Sequence, residues 1–516
     1  MKPRQSVLVL PAYLALTLVL TWPLAGEFDR SIPAVYGTTD AYMQAFLLGW
    51  DHKALVENLP GIFNAPIFYP FPRTLTYMDH MIGEAVVSWP IAALTGSLAA
   101  AYNTLVVLSF IFSAWAVYRL LRAMGTSRPG SFLGGFLFAF CPYRFAHLGM
   151  LNQIQTEFLP LGLFFLLRFA QTGRFVHVVG ALAAVVVQAW FGWYYAFYLG
   201  LSYLFFLAWR TAEGNFPWRA LPRIKTGAAA ALAMLLVLPG AIPYLAHQSA
   251  QPAFRRSLGM TVYFSGDLLD YLKLDVNNWA ARLLPALGGD AGYWPGMVTL
   301  VLALFALRRA AAENDFRSSG MQPPGSHEWM TKLRAWTRRR GVTGFFALLA
   351  LLSFLMSLGP LLHVGRKLLW VPLPYFAAFF LIPGFKSLRV PGRFAVLVTL
   401  SLAILAGMGY DALRRRLAPR RRGLFFASTF AAAVVASWSV PIPLTDLPGR
   451  SDMPPAYRWI AAQPGVFGVL DLPMPPTEPQ ETGEDAKRQF YSLYYAKPRL
   501  DGVSGFVPPE VAEFRI

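Results

Sequence analysis

An acidic residue, Asp40, is the first candidate for chemistry in this chain. It lies in the stretch VYGTTDAYMQAFLLGWDHKAL, residues 35–55, a few positions after the first apolar run. Apolar or aromatic residues at positions 42, 43, 46, 47 and 50 have helical spacing, which predicts an amphipathic helix lying on the outer surface of a membrane. Asp40 stands at the N-terminus of this helix. The alternative to a functional carboxylate is an N-cap, which satisfies free backbone N–H groups and contributes about 1 kcal/mol.

A second acidic group lies in the segment FYPFPRTLTYMDHMIGEA, residues 68–85. Asp79, His80 and Glu84 fall there within about one and a half helical turns. Two carboxylates and an imidazole so placed can coordinate a divalent cation or hold a proton for transfer. The alternative is a solvated helix start, because acidic residues are favoured in the first turn. A divalent cation is therefore a possible cofactor, and the sequence alone does not establish which residues would bind it.

A polar hairpin, FCPYRFAHLGMLNQIQTEFLPL, joins two predicted spans over residues 140–161. It contains Arg144, His147, Gln153 and Glu157 between two apolar segments. Ionisable groups at this depth are costly in a membrane and are commonly functional. The alternative is a set of hydrogen bonds between helices.

Three basic residues, Lys386, Arg389 and Arg393, lie in IPGFKSLRVPGRFAVL, residues 382–397, at the outer start of a predicted span. This position opposes the positive-inside bias. Arginine matches phosphate oxygens bidentately, so an anionic lipid head group would explain the cluster. Snorkelling to ordinary phospholipid is the alternative.

The composition places these residues in a membrane protein. The chain has 516 residues, of which 14% are charged, and a mean hydropathy of +0.44. Soluble proteins carry about 25% charged residues. The net charge of +18 does not indicate nucleic acid, because the basic residues form short clusters between apolar runs, as the positive-inside rule produces. Such clusters also suit anionic membrane lipids.

Motifs of soluble enzymes are absent from the sequence. It has no phosphate-binding G-x-x-x-x-G-K-[ST] loop, no G-x-S-x-G elbow and no histidine pair four residues apart. The single cysteine, Cys141, excludes an intrachain disulfide. We therefore expect the functional residues to be polar groups at the outer ends of membrane spans.

The predicted fold class is an all-α polytopic membrane bundle with about 11 transmembrane helices, within a range of about nine to thirteen. We interpret the first span as a retained signal anchor, and we expect the apolar runs 82–98 and 368–383 to be interfacial helices that do not cross. The predicted spans are 7–25, 100–121, 129–146, 152–169, 175–192, 194–209, 226–246, 293–308, 343–361, 392–411 and 424–442.

This topology places the N-terminus and 25 of the 45 Lys and Arg residues on the cytoplasmic side. Residues 1–442 would form the transmembrane domain, with outer loops 26–98, 247–292 and 362–391 and a cytoplasmic insertion at 309–342. The tail, residues 443–516, is more polar and predicts a small α+β extension on the outer, periplasmic side. It stops abruptly, as a truncated tail would.

The order of these segments resembles the GT-C superfamily of polytopic membrane glycosyltransferases, which contains protein mannosyltransferases and aminoarabinose transferases. A signal-anchor span is followed by an outer loop that opens with an acid, then by an interfacial helix, a many-span bundle and a periplasmic tail. The segments FYPFPRTLTYMDHMIG, CPYRFAHLGMLNQIQTEFLPL and PGFKSLRVPGRFAVL look like recurring segments of bacterial members. The resemblance covers most of the chain up to about residue 440, with echoes in VLDLP and GVSGF.

The resemblance implies transfer of a sugar from a polyprenyl-phosphate donor to an acceptor on the outer face of the bacterial cytoplasmic membrane. An acid early in the first outer loop acts as general base in such enzymes, and Asp40 matches that position. Ala41 replaces the second acid of the commoner Asp-Glu pair, which leaves Asp79 or Glu157 as partners or substitutes. Some members bind a divalent cation. The phosphate would be held by Arg389, Arg393, Lys386 or Arg144.

Two other classes of function compete with an enzyme. A transporter or flippase of lipid-linked sugars would place its binding groups at mid-membrane in broken helices. The predicted spans are instead nearly free of charge at their centres, which favours surface chemistry. In a structural or assembly factor, the polar outer loops would be incidental.

Overall fold

The computed structural model describes residues 7–35, 37–250, 256–289, 292–318, 328–474 and 482–513. Most of the described residues are helical. Long runs of Ala, Leu, Val and Phe form helices because a helix satisfies the hydrogen-bonding groups of its own backbone, as an apolar segment in a membrane requires. The helices of the first half are α1 (Leu10–Leu20), α2 (Thr39–Glu57), α3 (Ile82–Thr95), α4 (Leu98–Ala123), α5 (Arg128–Ala139), α6 (Pro142–Ala146), α7 (Leu151–Ile154), α8 (Phe158–Thr172), α9 (Phe175–Trp190) and α10 (Trp193–Ala212).

The second half adds long helices and a helical tail. These are α11 (Arg223–Ala250), α12 (Leu258–Tyr263), α13 (Trp279–Leu283), α14 (Met297–Ser318), α15 (Glu328–Ser357), α16 (Pro374–Leu381), α17 (Ala395–Arg416), α18 (Arg422–Ala436), α19 (Pro455–Ala462), α20 (Gly483–Tyr495) and α21 (Pro509–Ala512). Serines begin two of the central helices: the hydroxyl of Ser97 accepts from the Ala100 amide at 3.0 Å and that of Ser127 from Gly130 at 3.4 Å.

Among the described residues, four helical segments are long and apolar enough to cross a membrane: Leu98–Ala123, Arg223–Ala250, Arg340–Ser357 and Pro391–Arg416. Each of the eleven predicted spans contains or overlaps an α-helix. The number of spans stays a prediction, since length and composition identify only these four.

The centre of the bundle is formed by α4, α5 and α17, which pack against one another. Small residues allow the backbones of α5 and α17 to approach closely. A Cβ atom added at Gly130 would lie 2.8 Å from the Gly407 carbonyl oxygen, and one at Gly134 would lie 3.1 Å from that of Ala403. Helices in membranes commonly use small residues in this way to gain van der Waals contact.

Two small antiparallel sheets lie outside the bundle. In the first, β1 (Ser31–Pro33) pairs with β4 (Leu444–Asp446), and Ser31 donates a 2.6 Å hydrogen bond to the Asp446 carboxylate. In the second, β2 (Leu361–Val364) pairs with β3 (Lys367–Pro372). The first sheet ties the first predicted outer loop to the beginning of the tail.

The tail also covers α2, which corrects one expectation. We expected α2 to lie on a membrane surface with one polar face. The structure instead packs α2 against α3, α4 and the tail helix α20, and residues around most of its circumference are buried. Because the tail supplies a second apolar surface, α2 behaves as a core helix.

Two further expectations are wrong in detail. The run 368–383 is not one interfacial helix, since its first part is β3 and only its second part is the helix α16. Spans 129–146 and 152–169 are shorter than expected, because the polar hairpin between α5 and α8 forms two short helices. Residues 319–327 of the predicted cytoplasmic insertion lie outside the described residues, between the end of α14 and the start of α15.

Candidate active site

One cavity of about 810 Å³ collects acidic and basic side chains from distant parts of the chain. Its walls come from α2, the segment before α3, the α6–α7 hairpin, α10, α11, the segment before α17, and the tail. The charged residues that line it are Asp40, Asp79, Arg256, Arg389 and Arg393. Cavities of this size with a few convergent polar groups are typical binding sites.

Helix α2 presents one face to the cavity. Asp40, Met43, Gln44 and Leu47 line it, and their spacing places them on one side of a helix. The N-cap interpretation of Asp40 is wrong, because α2 begins at Thr39 and Asp40 lies in its first turn. A carboxylate in this position benefits from the partial positive charge of the helix N-terminus.

Asp79 also lines the cavity, from the segment before α3. Its carboxylate accepts a hydrogen bond from the backbone amide of Trp193, the first residue of α10, at 3.2 Å. Burial raises the pKa of Asp79 to about 6, although the Trp193 hydrogen bond and the charge of Arg393 both lower it. Asp79 therefore ionises close to neutral pH.

Tyr194 connects two of the arginines. The guanidinium of Arg393 lies over its ring, 4.2 Å from the centroid, and its hydroxyl accepts the backbone N–H of Arg389 at 2.8 Å. The guanidinium of Arg389 lies over the ring of Phe264, 4.6 Å from the centroid. Aromatic faces hold planar guanidinium groups in defined orientations, so both cations are well placed for an anion in the cavity.

Two of the other predicted residues also line this cavity. His147 donates from Nδ1 to the Tyr143 carbonyl oxygen at 2.8 Å, and burial lowers the pKa of His147 to about 4. Its ring is therefore neutral at neutral pH. The backbone carbonyl of Gln153 accepts the Tyr195 hydroxyl at 2.7 Å, and its side chain reaches Met150.

Arg144 does not line the cavity, which corrects its assignment as a phosphate ligand. Its side chain is fully buried behind the hairpin. One terminal nitrogen donates to the Ser109 hydroxyl and to the Ile154 carbonyl oxygen, each at 2.9 Å, and the guanidinium lies 4.4 Å from the centre of the Phe110 ring. These contacts match the alternative of hydrogen bonds between helices.

His80, Glu84 and Glu157 are buried outside the cavity lining. The His80 ring lies among Trp190, Trp193 and Tyr244, at centroid distances of 5.6 to 6.1 Å. The alternative of a solvated helix start is wrong for this segment, because His80 and Glu84 are buried and residues of α9, α10 and α11 surround the His80 ring. Among the described residues, no group of three or more His, Cys, Asp or Glu side chains is close enough to hold a metal ion.

Lys386 lines a second, smaller cavity of about 300 Å³ next to the first. Gln248 and Ser387 contribute to both cavities, so the two are adjacent. Phe380 and Leu381, which line the smaller one, are 54% and 78% exposed. Lys386 lies 5.7 Å from the Phe380 ring centre. The smaller cavity therefore joins an exposed apolar edge to the charged cavity.

Sequence reasoning missed Arg256, which lines the cavity, and Asp51, which is buried outside the cavity lining. Arg256 lines the cavity from the predicted outer loop 247–292. Its position beside Arg255 in the sequence opposes the positive-inside bias, and this signal could have identified it. Asp51 accepts the Met81 amide at 2.9 Å and so holds the start of α3. Burial raises the pKa of Asp51 to about 8.

Comparison with solved structures identifies the fold. The archaeal oligosaccharyltransferase AglB from Archaeoglobus fulgidus, in complex with an inhibitory peptide and a dolichol-phosphate, matches 96% of this chain at 11% identity and a TM-score of 0.53. The oligosaccharyltransferase of the same organism tethered to an acceptor peptide with the NVT sequon matches 97% at 11% identity and a TM-score of 0.52. This chain has the fold of the GT-C membrane glycosyltransferases.

The likeness concerns the fold, and the chain spans 64% of the length of the two archaeal enzymes. The match to ArnT from Cupriavidus metallidurans bound to undecaprenyl phosphate covers 94% of this chain and 69% of ArnT, at 14% identity and a TM-score of 0.38. No protein-family model and no curated protein sequence matches the chain.

Proposed function

We propose that this protein is a membrane glycosyltransferase that moves a sugar from a polyprenyl-phosphate donor to an acceptor on the outer face of the cytoplasmic membrane. The observation that carries the proposal is the shared cavity, in which Asp40 and Asp79 face the same space as three arginines within a GT-C fold. The N-terminus would be cytoplasmic and the tail periplasmic, as the distribution of basic residues predicts.

The donor phosphate would bind to the arginines. Arg393 and Arg389 are held against aromatic rings at one side of the cavity, and arginine pairs well with phosphate oxygens. A lipid-phosphate donor brings its own leaving group, so the absence of a nucleotide-binding motif from the sequence agrees with this chemistry. The bond between the sugar's anomeric carbon and the phosphate oxygen would break, and the electron pair would stay on the phosphate.

The polyprenyl chain would follow the smaller cavity. Its exposed apolar residues, Phe380 and Leu381, suit an isoprenoid chain, and Gln248 and Ser387 connect it to the arginines. Apolar surface that is open on one side and joins a charged site on the other fits an amphiphile with an anionic head. Lys386 would then lie along the route of the lipid and not at the phosphate.

Asp40 would act as the general base on the acceptor hydroxyl. The hydroxyl oxygen forms the new bond to the anomeric carbon, and its proton passes to the Asp40 carboxylate. Asp79 is less suited to this role, since the charge of Arg393 acts on it and ties it to the phosphate side of the cavity. One carboxylate suffices in an inverting transfer, because a phosphate leaves without strong protonation.

The replacement Asp40→Asn tests the proposal. The purified chain, reconstituted in lipid nanodiscs, is given polyprenyl-phosphate sugars together with acceptors that carry a free hydroxyl group, and the released polyprenyl phosphate is measured by mass spectrometry. Loss of a general base lowers transfer by about 100- to 10,000-fold. Donor binding should stay unchanged, because the arginines remain.

Asp29→Asn serves as the control, since Asp29 is an exposed acid in the same outer loop and does not line the cavity. Unchanged transfer by Asp40→Asn would remove Asp40 from the mechanism. Donor binding without any turnover by the wild-type chain, combined with movement of lipid-linked sugar between leaflets, would favour a flippase.

A further inference from the structure

The C-terminal loop 501–506 forms part of the cavity wall. Gly505 lines the cavity, and the side chain of Gln489 on α20 holds the loop at Val503. The Gln489 amide oxygen accepts the Val503 N–H at 2.5 Å, and its amide nitrogen donates to the Val503 carbonyl oxygen at 3.1 Å. Both partners are buried, so this two-point contact fixes the backbone of the loop.

Three more contacts fix the ends of the loop. Asp501 pairs with the buried Arg499 at 2.7 Å, and the carbonyl oxygen of Asp501 accepts the Phe68 amide at 3.2 Å. At the other end, the Phe506 ring stacks on Tyr77 with centroids 5.6 Å apart. The loop is therefore held by both the tail and the first outer loop.

The same loop touches two of the cavity arginines. The Gly505 carbonyl oxygen accepts a hydrogen bond from Nη1 of Arg389 at 3.2 Å, and the guanidinium of Arg256 lies 5.6 Å from the Phe506 ring centre. A Cβ atom added at Gly505 would lie 3.6 Å from Nη1 of Arg389 and 3.7 Å from Nη2 of Arg256. The two nitrogens are therefore no more than about 7.3 Å apart.

We propose that Gly505 and Phe506 are positioning residues, which hold Arg389 and Arg256 as a pair around one phosphate group of the lipid donor. This inference rests on the proposed function. A phosphate group that accepts one hydrogen bond of about 2.8 Å from each guanidinium group is wide enough to span the distance between them.

Glycine at position 505 keeps the space between the two guanidinium groups open. An alanine side chain would be in ordinary van der Waals contact with both nitrogens, so the chain should fold normally. Its methyl group would, however, occupy the position that a bridging phosphate oxygen needs. Gly505→Ala should therefore block the anion site without damaging the fold.

The test is binding of undecaprenyl phosphate to the full chain in detergent, measured by native mass spectrometry. We expect Gly505→Ala to weaken binding about tenfold, which is the usual scale for losing one good contact to a charged group. The unfolding temperature without ligand should not change. Gly449→Ala is the matched control, because a Cβ atom there also meets only ordinary contacts at 3.5 and 3.6 Å in the tail.

A double-mutant cycle with Arg256→Gln identifies a shared phosphate. If one phosphate touches both positions, the combined loss is smaller than the product of the separate losses. Losses that multiply would overturn the shared site, as would wild-type affinity in Gly505→Ala. Competition by inorganic phosphate but not by polyprenol supports recognition of the head group, whereas equal binding of polyprenol contradicts it.

The binding site and the proposed function can fail separately in these experiments. A chain that binds undecaprenyl phosphate through Arg256 and Arg389 but transfers no sugar refutes the proposed function and retains the binding site. A chain that transfers sugar at a normal donor KM after Gly505→Ala refutes the positioning role alone. Under the proposal, Gly505→Ala raises the donor KM more than it lowers kcat, because the acceptor base Asp40 lies elsewhere in the cavity.

Discussion

The carboxylate of Asp79 accepts the backbone N–H of Trp193 at 3.2 Å, and the charge of Arg393 acts on the same carboxylate. This arrangement links the segment before α3 to the start of α10 and to the segment before α17. Three regions that are distant in sequence therefore meet at one titratable group, which lines the same cavity as Asp40.

Asp79→Asn should change how stability depends on pH. Burial holds the pKa of Asp79 in the folded protein at about 6, above the ordinary value of 3.8, so the folded state retains its proton more strongly than the unfolded state. Asp79 therefore lowers the free energy of unfolding progressively as the pH rises from about 4 to about 6. Above that range its contribution is constant. Asparagine keeps an oxygen that can accept the Trp193 amide and carries no charge.

Thermal unfolding in detergent between pH 4 and pH 7.5 measures this effect. The variant and the wild type should be similar near pH 4, and the variant should be the more stable protein at pH 7.5. Parallel stability curves across the whole range would show that burial of Asp79 does not control its ionisation.

Arg393→Lys should weaken the donor site while keeping its charge. Lysine cannot lie flat on the Tyr194 ring, where the guanidinium now sits 4.2 Å from the centroid, and it cannot bind phosphate bidentately. We expect the donor KM to rise about tenfold, with a smaller change in kcat. Steady-state kinetics with varied donor concentration provide the measurement.

Arg450→Lys is the control for this substitution, because Arg450 is exposed in the tail and does not line the cavity. Equal kinetics for Arg393→Lys and wild type would exclude planar recognition of phosphate at this position. A fall in kcat at constant KM would instead indicate that Arg393 acts in the transition state.

Arg144→Met should destabilise the protein without altering the donor site. The substitution leaves the Ile154 carbonyl and the Ser109 hydroxyl without their buried donor, a loss of about 2–4 kcal/mol. The unfolding temperature should fall, and the affinity of the remaining folded protein for undecaprenyl phosphate should stay unchanged. Arg174→Met, at an exposed arginine before α9, is the control. A specific loss of lipid affinity at normal stability would return Arg144 to the phosphate site.

The sequence identified residues that line the cavity more reliably than it identified which side chains contact one another. Asp40 was found from its place after the first apolar run, and Arg389 and Arg393 from a positive charge on the outer side. Arg256 follows from the same rule, applied to the loop 247–292. Arg144 was placed wrongly because a polar hairpin between apolar helices looks the same in sequence whether its side chains face a cavity or each other.

Helical periodicity and composition determined by themselves that this chain is a helical membrane protein, because an apolar segment in lipid has to satisfy its own backbone. They also determined which polar residues lie at the ends of helices. Tertiary structure decided which of these share a cavity. The tail, by packing on α2 and bringing Gly505 to Arg389, changed a surface helix into a core helix and completed the cavity wall. Contacts between such distant residues leave no periodic pattern, since they depend on packing that the local sequence does not encode.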